Sequence, residues 1–119
     1  MSEMQREKLE SAGMEIDRTI ERFSGNEALY FKFLKKFPGD ENMEQLTRAV
    51  EEGDSETALR AAHTLKGIAL NLGFERLYTA AAALTEALRG PRALTDEALY
   101  EAVAREHAAL LEAIAALDG

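Results

Sequence analysis

The sequence contains no cysteine among its 119 residues. A disulfide framework, a thiol nucleophile and a zinc–thiolate site are therefore all excluded. Proline is also scarce, since Pro38 and Pro91 are the only two, and this scarcity permits long helices because proline interrupts them. The chain is rich in Ala, Leu and Glu, which favours helix. With 46% hydrophobic residues, it has enough apolar material for the core of one domain.

Clustered positive charge is missing as well. Lys and Arg number 14 against 22 Asp and Glu, which gives a formal net charge of −8 at pH 7. Nucleic acids and anionic membrane surfaces both bind basic patches, so we expect neither as a partner. No uncharged run of about 18 residues is present to cross a bilayer. The first residues are polar and mixed in charge, unlike a signal peptide, so we expect a soluble protein of the cytoplasm.

Motifs for nucleotide and metal binding are also absent. The chain has no glycine-rich phosphate loop, so it is not expected to bind ATP. Its two histidines are His63 and His107, and neither belongs to the Glu-x-x-His pattern of di-metal helical bundles. We therefore expect no cofactor of its own.

Apolar residues recur at spacings of three and four along most of the chain, the pattern of amphipathic helices. Short N-terminal helices are predicted within residues 3–23. Bundle helices are predicted over roughly 27–52, 54–73, 74–90 and 95–117, with a break at Pro38-Gly39-Asp40 in the first of these regions. The expected fold class is all-α, an antiparallel up-down four-helix bundle with additional short N-terminal helices, forming a single domain over residues 1–119.

Several residues refine this outline. The aromatic segment 27–37 is predicted to bury Tyr30, Phe33, Leu34 and Phe37 as one core stripe. Gly90-Pro91 is expected to end one helix, and Thr95-Asp96 to open the last one. On that last helix His107 falls between Val103 and Leu110 on the apolar face, so we predict a histidine at the edge of the core.

The most informative stretch is 58–73. Its apolar residues define one buried helical face, formed by Ala58, Ala61, Ala62, Leu65, Ile68, Ala69 and Leu72. His63 points nearly opposite Leu65. Four residues lie within about 60° of His63 on the helical wheel, namely Leu59, Lys66, Gly67 and Leu70. The sequence therefore predicts an outward stripe with a histidine at its centre.

This stripe suggests a functional site. Imidazole is a side chain that carries a reactive group near neutral pH. Lys66 offers positive charge to an anion bound at His63, and Gly67 leaves space although it costs helix stability, roughly 1 kcal/mol relative to alanine. Leu59 and Leu70 suit contact with another protein. The ordinary alternative is a solvated histidine with incidental neighbours, but that alternative leaves the mid-helix glycine unexplained.

The segment His63-Thr64-Leu65-Lys66-Gly67, followed by Ala69, Asn71 and Gly73, closely resembles the active-site helix of histidine-containing phosphotransfer (HPt) domains of bacterial two-component phosphorelays. Upstream, Ile16-Asp17, Arg22-Phe23-Ser24-Gly25-Asn26-Glu27 and Leu29-Tyr30 look like the opening of bacterial members. Downstream, Leu77, Ala80, Ala81 and Leu84-Thr85-Glu86-Ala87 resemble the helix that pairs with the active-site helix. The resemblance covers the chain from about residue 14 onward.

The resemblance implies a phosphoryl carrier without autokinase activity. His63 would accept a phosphoryl group from the aspartate of a receiver domain and pass it to another receiver. Lys66 would stabilise the phosphoryl charge, and Gly67 would give steric access. Thr85, at a position where family members frequently have glutamine, would orient the imidazole. Partner docking is assigned to Leu59, Leu70 and Ala62. The implied partners are response-regulator receiver domains, which would bring Mg²⁺, and a hybrid sensor kinase, with the chain itself a monomer.

Two other classes of function stay open on the sequence. An enzyme using His63 as a general base is disfavoured because no carboxylate lies beside it on the helix and an open helix face provides no pocket. A helical adaptor that docks on receivers or kinases without being phosphorylated is the stronger alternative, because the same exposed leucines would serve it.

Overall fold

The computed structural model describes residues 2–90 and 97–117, and within these ranges the chain is all-α. Its helices are α1 (Glu3–Ser11), α2 (Ile16–Arg22), α3 (Glu27–Lys36), α4 (Asn42–Glu52), α5 (Ser55–Leu72), α6 (Glu75–Leu88) and α7 (Glu97–Ala115). A 3₁₀ turn, Phe37–Gly39, separates α3 from α4. Extended pairing in the described ranges is limited to one isolated bridge between Met14 and Phe74.

The region predicted as the first bundle helix, 27–52, is divided into α3 and α4. Pro38 lies in the 3₁₀ turn, where its ring and missing N–H prevent the α-helix from continuing. Helix α4 then begins at Asn42, whose backbone N–H donates to the Asp40 carboxylate at 2.9 Å. Of the predicted last helix, Glu97–Ala115 is helical, whereas Pro91, Thr95 and Asp96 lie outside the described residues.

Helix α5 lies at the centre of the packing. It packs most extensively against α4 and α6, while α6 packs against α7 and α7 against α1. A hydrogen bond of 2.8 Å between the hydroxyls of Thr47 and Tyr100 joins α4 to α7. The buried side of α5 consists of Ala58, Ala61, Ala62, Leu65, Ala69 and Leu72, and four of these six are alanines, which allow the neighbouring backbones to approach closely.

One of the predicted core aromatics is not in the core. Tyr30, Leu34 and Phe37 are buried as expected, but the Phe33 side chain is 42% exposed. Helix α3 packs mainly on α2, the following turn and the end of α5, so it buries only the narrow face that carries the other three residues. Phe33 lies at the edge of that face, with its ring in edge-to-face contact with Phe23 at 5.7 Å between centroids.

The predicted core position of His107 is confirmed. Its side chain is 9% exposed, and its ring lies 5.3 Å from the ring of Phe37 between centroids. Burial lowers the pKa of His107 below its ordinary value because the charged imidazolium loses hydration, while the Asp40 carboxylate acts in the opposite direction. The histidine of α7 is therefore a packing residue.

The N-terminal helices hold the C-terminal end of α5. The last carbonyls of a helix have no partner within the helix, and here they are bound by side chains of α2 and α3. Arg22 donates to the Leu70 carbonyl at 2.9 Å, and the Tyr30 hydroxyl to the Leu72 carbonyl at 3.0 Å. The backbone N–H of Glu15 donates to the Gly73 carbonyl at 2.7 Å. These contacts fix where α5 ends relative to α2 and α3.

Candidate functional site

The candidate site lies halfway along α5, whose two ends are well defined. At the N-terminus the Asp54 carboxylate caps the helix by accepting from the backbone N–H of Thr57 at 3.1 Å. Hydrogen bonds from Thr57 lower the pKa of Asp54, so this cap is charged at neutral pH. At the C-terminus Gly73 adopts the left-handed conformation, with φ of 76°, which lets the chain reverse into α6.

His63 is the ninth of the 18 residues of α5, and its side chain is exposed. Within the described ranges, no hydrogen bond or ion pair involves its ring. The imidazole therefore keeps both nitrogens accessible to an incoming group. Such an arrangement suits a nucleophile that reacts with a group brought by another molecule, because no residue of its own chain covers it.

The stripe around His63 has the character that the sequence predicts for most of its members. Leu59 and Lys66 are half-buried, and Leu70 is 50% exposed. A Cβ atom built on Gly67 would meet no other atom within 4 Å, so the glycine borders open space. The stripe thus combines an accessible imidazole, one nearby cation, an unobstructed approach and apolar side chains.

Two predicted site residues are placed elsewhere by the structure. Ala62 is fully buried, so it packs α5 against its neighbours and offers no surface for docking. Thr85 is also fully buried, and its hydroxyl donates to the Ala81 carbonyl one turn earlier at 2.7 Å. A hydroxyl committed to its own helix in this way does not orient the imidazole of His63, and the expectation for Thr85 does not hold in this structure.

Two grooves that the sequence does not reveal lie near the C-terminal end of α5, and the larger includes Leu70 in its lining. The larger, about 690 Å³, lies between α2, the end of α5 and the start of α6, and includes Arg18, Arg22 and Tyr78 in its lining. The smaller, about 440 Å³, lies towards α3. It is lined by Arg22, Phe23, Phe33, Ile68, Asn71 and Leu72. Periodicity within one helix does not reveal such grooves, because they depend on how α2 and α3 cross α5.

Residues 2–90 and 97–117 contain no group of three or more His, Asp or Glu side chains placed to hold a metal ion. No helix in that part of the chain is long and apolar enough to cross a membrane.

Comparison with known proteins bears directly on this site. A family model described as the Hpt domain matches residues 39–119, which is more than half of the chain and includes α4 to α7 with His63. Helices α1 to α3 precede the matched region. No curated protein and no solved structure matches the chain.

Proposed function

The chain belongs to the Hpt domain family, whose members carry phosphoryl groups on histidine in phosphorelays, and we propose that His63 is the phosphoacceptor of this one. The observation that carries the proposal is the placement of His63 in the middle of α5, exposed and without a hydrogen-bonding partner in the described residues. The other histidine, His107, is buried at the core and is not accessible to a protein that brings a phosphoryl group.

The proposed reaction is a reversible transfer between an aspartate and His63. The unprotonated nitrogen of the neutral imidazole attacks phosphorus in the aspartyl phosphate of a receiver domain. A nitrogen–phosphorus bond forms, the bond between phosphorus and the carboxylate oxygen breaks, and the aspartate leaves as a carboxylate. Transfer to a second receiver reverses these steps. Mg²⁺ would be supplied by the receiver, where it offsets the charge of the transferred group.

The neighbours of His63 have separate roles in this proposal. Lys66, one turn along α5, would offset the negative charge of the phosphoryl group. Gly67 would leave room for the receiver to approach the ring, consistent with the open space around it. Leu59 and Leu70 would contact the receiver directly. We assign no role in the reaction to Ala62 or Thr85, because both are buried.

The arrangement of α4 to α7 would support His63 in this role. We infer that α4 to α7 form an antiparallel four-helix bundle that holds His63 in place, supported by the successive packing of these helices and the Thr47–Tyr100 hydrogen bond. The protein would act as a cytoplasmic monomer without autokinase activity, with a hybrid sensor kinase and response regulators as partners.

Phosphorylation of the two histidine variants tests the proposal. Wild type, His63→Gln and His107→Gln are incubated with a receiver domain that carries a radiolabelled aspartyl phosphate. We expect acid-labile label on wild type and on His107→Gln, and none on His63→Gln, with circular dichroism showing that all three are folded. Label on His63→Gln at the wild-type level would contradict the proposal.

A phosphorylation-independent adaptor is the second candidate, favoured by the exposed Leu70 beside His63. This alternative predicts that the wild-type chain binds a receiver domain but never acquires acid-labile label. It also predicts that His63→Gln binds the receiver as tightly as wild type and retains its signalling output.

A further inference from the structure

Two cationic side chains flank His63 along α5, one turn to each side. Lys66 is three positions after the histidine and Arg60 is three positions before it, so the Cβ atoms of both lie about 5 to 6 Å from that of His63. Residues 57–74 contain no Asp or Glu, although the formal net charge of the protein is −8. Arg60 therefore lies in a locally positive part of an acidic protein, beside the proposed phosphoacceptor.

The usual direction of helical side chains brings the ring of His63 towards Arg60. Long side chains in an α-helix lean towards its N-terminus and cover the turn that precedes their own Cα atom. The ring of His63, and a phosphoryl group bound to it, are therefore expected over the turn that contains Leu59 and Arg60. Lys66 leans back towards His63 from the following turn. A group on the ring can thus be contacted by Arg60 from one side and by Lys66 from the other.

The side chain of Arg60 is exposed and weakly bound. Its Nη2 atom donates to the Thr57 hydroxyl at 3.4 Å, which is longer than an ordinary N–H···O hydrogen bond. The same hydroxyl donates to the Asp54 carboxylate at 2.6 Å, the distance of a strong charge-assisted bond. Hydrogen bonds from Thr57 and, to a smaller extent, the positive charge of Arg60 lower the pKa of Asp54. Arg60 thus has a weak link to the cap of α5 that it can exchange for a stronger contact.

We propose that Arg60 leaves Thr57 and binds the phosphoryl group when His63 is phosphorylated, as a second phosphoryl-binding residue beside Lys66. This inference rests on the proposed function of His63. A guanidinium donates two parallel hydrogen bonds to phosphate oxygens, whereas an ammonium acts as a point charge. Exchange of a neutral hydroxyl for an anionic group is favourable for Arg60 and stabilises the phosphorylated protein. Asp54 and Thr57 oppose this exchange, because they compete for the same guanidinium.

The equilibrium constant for phosphoryl transfer separates this role from contact with a receiver domain. This constant compares the free proteins before and after the reaction, so contacts that exist only in their complex do not affect it. A residue that touches only the receiver changes the forward and reverse rate constants by the same factor. A residue that binds the phosphoryl group in the free protein changes their ratio instead.

The test measures initial rates of transfer in both directions with one purified receiver domain. For the forward direction the receiver carries a radiolabelled aspartyl phosphate. For the reverse direction His63 is first phosphorylated with phosphoramidate, whose nitrogen–phosphorus bond breaks as ammonia leaves and a ring nitrogen gains the phosphoryl group. The variants are Arg60→Gln, Thr57→Val and the double variant. The backbone N–H of Thr57 donates to Asp54 at 3.1 Å, and Thr57→Val keeps this capping bond.

We expect Arg60→Gln to shift the transfer equilibrium away from phosphorylated His63 by about threefold to tenfold, the effect of losing one exposed charge-assisted contact. Thr57→Val should shift it about twofold towards phosphorylated His63, because the competing hydroxyl is removed. The double variant should match Arg60→Gln, since Thr57 acts through Arg60. The matched control is Arg105→Gln, which removes an exposed arginine from α7 and should leave the equilibrium at the wild-type value. Circular dichroism shows that each variant is folded.

Different outcomes overturn different claims. If Arg60→Gln leaves the ratio of forward to reverse rate constants at the wild-type value, Arg60 does not bind the phosphoryl group, while His63 stays the phosphoacceptor. If Thr57→Val leaves that ratio unchanged, the competition between Thr57 and the phosphoryl group is rejected. If wild type takes up no phosphoryl group from the receiver or from phosphoramidate, the proposed function is wrong and the role of Arg60 is rejected with it.

Discussion

His63 and His107 bear the same imidazole but lie in opposite surroundings. His63 is on the outward side of α5, exposed and beside a glycine that borders open space. His107 is on the inward side of α7, packed against Phe37, and its Nε2 atom has no hydrogen-bond partner in the described part of the chain. The neighbours of each ring thus decide which molecules can reach it, since one ring is accessible from outside and the other is enclosed by its own chain.

The two histidines should also differ in how much they contribute to the stability of the fold. Little of the fold depends on the His63 side chain, which makes no hydrogen bond in the described residues. The His107 ring fills space between α7 and the turn that links α3 to α4, so a change there disturbs the core. The same substitution at His63 and at His107 should therefore have very different effects on the free energy of unfolding.

The sharpest test introduces a carboxylate at each histidine. His107→Glu should lower the free energy of unfolding by about 3 kcal/mol or more, because it buries a negative charge close to the Asp40 carboxylate. His63→Glu should change it by no more than about 0.5 kcal/mol, as for other exposed positions. Urea unfolding followed by circular dichroism measures both. Equal losses in the two variants would mean that the two surroundings do not differ as described.

A smaller contrast is expected between two glycines of the same region. Gly73→Ala should destabilise the protein by about 2 kcal/mol or more, because a left-handed conformation disfavours a side chain. The new Cβ would also overlap the Thr19 side chain and lie 2.7 Å from the Glu15 carbonyl oxygen. Gly67→Ala should instead stabilise by about 0.5 to 1 kcal/mol, since alanine is the better helix former and its Cβ meets no atom.

Thermal unfolding of the two variants gives the comparison directly. A loss of stability in Gly67→Ala similar to that in Gly73→Ala would show that the surface beside His63 is as closely packed as the end of α5.

How far the sequence predicts this molecule depends on whether a feature belongs to one helix or to several. The outward direction of His63 follows from the spacing of apolar residues within α5, and so does the inward direction of His107 within α7. Both are properties of a single helix, and simple periodicity was sufficient for each.

Features that depend on contacts between helices were predicted less well. Phe33 has the spacing of a core residue, but α3 is covered on one narrow face only, and this depends on where α2 and α5 cross it. Thr85 was expected to reach across to His63. Its spacing of four from Ala81 and eight from Leu77 places it on the buried face of α6, where its hydroxyl donates to the Ala81 carbonyl. The spacing within α6 therefore predicts the position of Thr85 better than the expected contact with His63 did.

The smallest predicted effect concerns pH and again separates the two histidines. Burial lowers the pKa of His107 in the folded protein below its ordinary value. As pH falls below about 6.5, the unfolded chain takes up a proton at this residue more readily than the folded protein does. The neutral, buried His107 therefore contributes fully to the free energy of unfolding at pH 8. This contribution decreases as the pH falls through this range, by at most about 1.4 kcal/mol per pH unit.

Other groups also titrate in this range, so the prediction is made for a difference between proteins. Wild type, His107→Gln and His63→Gln are unfolded in urea at pH 8, 6.5 and 5.5. Relative to wild type, His107→Gln should gain stability as the pH falls, because it cannot take up the proton that favours unfolding. His63→Gln serves as the control for the removal of a histidine. Parallel curves for all three proteins would show that His107 titrates in the folded state as it does in the unfolded chain, and its burial would then have no energetic consequence.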